Sequence, residues 1–70
     1  MSRAKTTYRF TLQAGGVQIE ELGVMALRDD AEAAAFGQRV ARDLANGPDQ
    51  HPGAIAIIKR GRTVRRIPVE

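Results

Sequence analysis

The chain has no cysteine, no tryptophan, a single histidine (His51), a single serine (Ser2), and three aromatic residues among 70: Tyr8, Phe10 and Phe36. Without thiols there is neither a disulfide framework nor a thiolate metal site, and a reducing compartment is the natural setting. One imidazole falls short of the three or four ligands a zinc site needs. Nucleophilic catalysis is equally short of parts. It needs a nucleophile beside a base with a third group to orient it, whereas Ser2 lies in a polar terminal stretch and His51 between Gln50 and Pro52 in a loop. No cofactor, metal or enzymatic activity is therefore expected. Long apolar runs are missing too: nothing approaches the roughly 18 residues that cross a membrane. Met1 to Lys5 is not followed by the apolar core of a signal peptide, so a soluble, cytoplasmic protein with no membrane partner is expected.

What the chain does have is aliphatic. Hydrophobic residues make up 43% of it and aromatics 4%, so its core must come mainly from Ala, Val, Ile and Leu. A core of this size supplies only about 3–5 kcal/mol. Further burial in a homodimer is a reasonable expectation.

Asp29 to Pro48 carries a complete set of helix signals. Asp29-Asp30-Ala31-Glu32 offers a carboxylate at the N-cap, with Glu32 reaching back to close a capping box. Asn46-Gly47-Pro48 offers a stop, with Gly47 able to take the left-handed conformation and Pro48 unable to continue. Between them Ala33, Phe36, Gly37, Val40, Ala41 and Leu44 form one stripe of helical period. Gly37 is costly in mid-helix by about 1 kcal/mol relative to Ala. With Ala33 and Ala41 one turn to either side it makes a row of small residues that admits a close neighbour. That neighbour is the chain's own sheet or, as the functional alternative, a second copy, which makes Ala33, Gly37 and Ala41 candidate dimer contacts.

The flanks read as strands. Thr6 to Leu12 alternates, with Thr6, Tyr8, Phe10 and Leu12 on one face and Thr7, Arg9 and Thr11 on the other. Gly15-Gly16 marks a turn into a short second strand carrying Val17, Ile19 and Leu22. Val24, Met25 and Leu27 then serve as an apolar connection to the helix. After a Pro- and Gly-rich loop from Gly47 to Gly53, Ala54 to Ile58 is the most β-prone run, with Ile55 and Ile57 toward the helix and Ala56 and Ile58 away. Lys59-Arg60-Gly61-Arg62 closes a second hairpin. Thr63 to Val69 breaks alternation, which calls for a bulge near Arg65-Arg66. Pro68 there argues for a sheet edge or strand end. The fold expected is α+β, a single helix on a small antiparallel sheet in the order ββαββ, spanning residues 6–70 after a flexible start at 1–5.

Tyr8-Arg9-Phe10 opening the first strand, Glu21-Leu22-Gly23-Val24 ahead of the acidic cap, the Ala-rich helix, Gly61 and the closing Ile67-Pro68-Val69 resemble a family of short stand-alone bacterial proteins known as a domain of unknown function. The resemblance covers residues 8–69. Its motifs are turn glycines and core aromatics, so it implies the ββαββ order and carries over no catalytic or binding residue.

Charge is segregated. Glu20, Glu21, Asp29, Asp30 and Glu32 face only Arg28 nearby in sequence, while Lys59, Arg60, Arg62, Arg65 and Arg66 crowd the C-terminal end, within a net charge of +3. Arg9 joins that cluster if the first strand neighbours the second hairpin. Three readings follow: protection of a sheet edge against aggregation, a contact for an acidic protein, and a cationic ribbon for nucleic acid. The modest net charge and the lack of aromatics for base stacking place nucleic acid behind protein. The reading is a non-enzymatic protein-interaction module, a regulator or inhibitor that binds or occludes a partner, with nucleic-acid binding through the C-terminal hairpin as the alternative.

Overall fold

The computed structural model of the chain describes residues 5–47 and 53–69. Four strands and one helix follow in the order β1 (Thr6–Ala14), β2 (Val17–Leu27), α1 (Asp30–Ala45), β3 (Gly53–Lys59) and β4 (Arg62–Val69). The sheet is antiparallel throughout, with strand order β2-β1-β3-β4. Each hairpin closes on two residues with positive φ, Gly15 (60°) with Gly16 (78°) and Arg60 (53°) with Gly61 (78°). Positive φ at both central positions is the type I′ geometry, whose twist matches that of the flanking strands.

Alternation sorts the side chains. Tyr8, Phe10 and Leu12 from β1, Ile55 and Ile57 from β3, and Ile67 and Val69 from β4 are buried beneath the helix with Leu27, Ala33 and Ala41. The helix follows its signals at the start: Asp29 Oδ1 accepts the Glu32 N–H at 2.9 Å, and Glu32 Oε1 accepts the Arg28 N–H at 2.9 Å. That reciprocal bond falls on Arg28, one residue before the cap. At the far end Asn46 keeps a right-handed conformation and Gly47 donates to the Leu44 carbonyl at 3.3 Å. Gly47 is not left-handed. The helix therefore tightens to a stop rather than reversing. Pro48 and His51 lie outside the described residues, as do Met1 to Ala4.

A further expectation needs correction. β2 is not short: Val24, Met25 and Leu27 continue it as an eleven-residue strand. The register slips between Phe10 and Thr11 and again between Leu12 and Gln13, leaving Leu22 and Ile19 as extra residues on β2. Two bulges thus break the period-2 pattern that marks a strand in sequence. In β4 the extra residue is Val64, since Ile57 pairs with Arg65 and Ile58 with Thr63. The expected bulge is present just before Arg65. Pro68 sits on the edge strand, opposite Ala54.

The small-residue row explains how closely the helix lies. A Cβ added to Gly37 would stand 2.8 Å from Ile67 Cδ1 and 3.0 Å from Ile57 Cδ1. Phe36 instead meets Phe10 edge to face, with ring centroids 5.0 Å apart. No described element covers the opposite face of the sheet. Among the described residues no helix is long and apolar enough to cross a membrane.

Candidate functional site

The six cations singled out in sequence separate into two groups. Arg9 does neighbour the second hairpin, because β1 pairs with β3 and Arg9 lies opposite Ile58. Its guanidinium is already engaged: Nε and Nη2 donate to Glu21 Oε1 at 3.0 and 2.6 Å. The bonded carboxylate raises the Arg9 pKa further above its ordinary value. Lys59 pairs in register with Tyr8 and so belongs to the helix side. Its Nζ lies 3.0 Å from Asp30 Oδ1, the same oxygen that accepts the Tyr8 hydroxyl at 2.6 Å. Hydrogen bonds from Tyr8 and then Lys59 hold the Asp30 carboxyl below the usual carboxylate range.

Arg60, Arg62, Arg65 and Arg66 form the second group. All four are exposed, and none forms an ion pair with a described acid. All of β4 is at the sheet edge; Arg66 lies opposite Ala56 on the uncovered face, whereas Arg62 and Arg65 lie opposite Lys59 and Ile57 on the helix side. Arg60 occupies the turn. The hairpin therefore presents its cations along one sheet edge, to both sides of it, and at the turn.

Ala33, Gly37 and Ala41 are buried against the chain's own sheet, with Ile57 and Ile67 filling the space above Gly37. They offer no surface to a second copy, which corrects their reading as dimer contacts. Three of the acids are likewise engaged in structure: Asp29 caps the helix, Asp30 holds Tyr8 and Lys59, and Glu21 holds Arg9. Among the described residues no group of three His, Asp or Glu side chains is arranged to hold a metal.

Two features escaped the sequence. One is the Tyr8–Asp30–Lys59 arrangement, which joins residues 22 and 29 positions apart. The other is an open cleft of about 540 Å³ on the uncovered face, lined by Lys5, Thr7, Arg9, Val24, Ile58 and Arg60 among others. Once β1 is known to lie between β2 and β3, alternation alone places Thr7 and Arg9 on that face. Strand order was the missing information.

No family model, curated protein or solved structure shows significant similarity to the chain.

Proposed function

We propose that the protein is a small non-enzymatic binding module, a regulator or inhibitor that docks on an acidic protein partner through the cationic β3–β4 hairpin. The observation that carries this reading is the division of the cations. Arg9, Arg28 and Lys59 are matched by internal acids; of the cations with no described acid beside them, Lys5, Arg39 and Arg42 are scattered, while Arg60, Arg62, Arg65 and Arg66 are gathered on one hairpin. Cations that need no internal partner are available for steering and contact. Membership of the bacterial family that the sequence resembles and a cytoplasmic location belong to the same reading.

The reading includes self-association through the β2 edge. Edge strands invite pairing unless charge or proline blocks them. β4 carries Arg62, Arg65, Arg66 and Pro68; β2 has no Lys, Arg or Pro, and although Glu20, Glu21 and two bulges interrupt its middle, it exposes Val17 at 66%, Ile19 at 58% and Val24 at 55% to either side. Antiparallel pairing of two β2 edges is isologous and closes as a dimer.

A titration separates protein from nucleic acid as the partner. A labelled Glu-rich peptide should bind at low salt and lose affinity by about tenfold when Arg62, Arg65 and Arg66 are replaced together by Gln. Duplex DNA should not bind at about 150 mM salt. A DNA complex that survives there, with log K falling by about 0.9 per decade of salt for each phosphate neutralised, would make nucleic acid the partner.

A further inference from the structure

The central strand turns an all-polar row toward the uncovered face: Thr7, Arg9, Thr11 and Gln13, with Lys5 just before it. Solvent contact explains Thr7 and Arg9, which are exposed, but neither Thr11, which is fully buried with no described partner for its hydroxyl, nor the arrangement at one end. There Arg9 lies between Val24 of β2 and Ile58 of β3, each its direct cross-strand partner. The β3–β4 turn stands beyond Ile58. It brings Arg60 to the same cleft, which Lys5 and Thr7 also line. Three cations and two threonines thus converge over two aliphatic side chains, and among the described residues no carboxylate lines the cleft. Its volume of about 540 Å³ is within the range of small-ligand sites. Of the cations, Lys5 and Arg60 form no ion pair with a described acid, and Arg9 is held only by Glu21. Arg60 takes up its position with φ of 53°, a left-handed conformation uncommon for a residue with a side chain.

We infer that this cleft receives a carboxylate side chain from an acidic peptide segment of the partner, which displaces Glu21 from Arg9, while an apolar neighbour on the peptide rests on Val24 and Ile58. The inference deepens the acidic-partner reading and rests on it. Charge complementarity selects the occupant: three cations line the site, and the one described acid that reaches any of them is Glu21, bound to Arg9. The aliphatic floor suits a peptide side chain and gives no stacking surface to a base. Glu21 is then an internal competitor. Both of its hydrogen bonds with Arg9 end on a single oxygen, and the pair is about half exposed. Such a pair is weakly held and exchangeable. An incoming carboxylate that also meets Lys5 and Arg60 gains what Glu21 cannot offer.

The test uses the intact protein and a labelled peptide alternating Glu and Val, titrated by fluorescence anisotropy, with folding of each variant checked by circular dichroism. Lys5→Gln with Arg60→Gln should weaken binding about tenfold, because neither side chain has a described acidic partner to lose. Glu21→Gln should strengthen it about two- to fivefold. Glu20→Gln makes the same change in net charge, but Glu20 pairs with Leu12 on the helix side and should alter affinity little. In ¹⁵N spectra the Arg9 Nε–H resonance should move on peptide addition. If Glu20→Gln and Glu21→Gln act alike, or if the Lys5/Arg60 variant binds as wild type while the Arg62/Arg65/Arg66 variant does not, the edge is the docking site and the cleft is not. Binding by none of the proteins at low salt overturns both the cleft and the acidic-partner reading. Displacement of the peptide by equimolar duplex DNA would replace the carboxylate with a phosphate backbone.

Discussion

Tyr8 shows how one side chain can serve core and surface together. Its ring is buried while its hydroxyl reaches Asp30 at the first turn of the helix. The hydrogen bond to Asp30, burial and the neighbouring negative charge push the Tyr8 pKa up to about 12 from 10.0. A group that keeps its proton longer in the folded chain stabilises the fold below its unfolded value and loses that contribution as pH rises through the folded one. Stability should therefore decline between pH 10 and about 12, and Tyr8→Phe should flatten the decline in melts taken across that range. Asp30 acts oppositely: with its carboxyl depressed, its contribution is present above the ordinary carboxylate pKa and lost as pH falls through the folded value. Gly37 makes the second residue-scale case. Ala in mid-helix gains about 1 kcal/mol over Gly, but a methyl here would meet Ile67 and Ile57 at 2.8 and 3.0 Å. Both atoms are the far ends of flexible side chains that can turn aside, so crowding and helix propensity largely offset, and Gly37→Ala should change stability by less than about 1 kcal/mol in denaturant titration.

The helix and the sheet meet unevenly. The small residues bring α1 down onto Ile57 and Ile67, while Phe36 leans on Phe10 across the wider gap. Phe36 is the one aromatic residue of the helix stripe, yet it is only half-buried, whereas Phe10 is 1% exposed. Phe10→Ala should therefore cost about 3–5 kcal/mol and Phe36→Ala clearly less. Equal losses in chemical denaturation would show that the edge-to-face contact, shared by both residues, outweighs burial. On the sheet, the two bulges of β2 change which residues face which way. They leave apolar Ile19 exposed while Leu22 is half-buried against the core.

At the scale of the molecule, the two sheet edges differ in kind. β4 is guarded by arginine and proline, while β2 exposes Val17, Ile19 and Val24. With a core of this size a monomer is only marginally stable, and pairing of β2 edges adds burial where the surface is apolar. The expected state is a homodimer whose melting temperature rises with protein concentration. Ile19→Lys should give a monomer in light scattering at tens of micromolar while leaving the cleft intact. A wild-type monomer at that concentration, melting independently of dilution, would eliminate the β2 dimer.

The order ββαββ, the two-residue turns, the Asp29 cap and the inward rows Tyr8-Phe10-Leu12 and Ile55-Ile57 were all legible in the sequence, because each rests on interactions within a few residues or on a simple period. The full length of β2 was not. A bulge shifts alternation by one residue, and Ile19 and Leu22 each conceal such a shift until a partner strand supplies the register. The placement of the charges was also hidden. Arg9 and Lys59 belong to the basic cluster by composition, but pairing across the sheet gives one to Glu21 and the other to Asp30. The cleft exists because β1 lies between β2 and β3, so Val24, Arg9 and Ile58 stand abreast. Local chemistry determines which elements form, whereas strand order brings together side chains distant in sequence, and no local pattern records it.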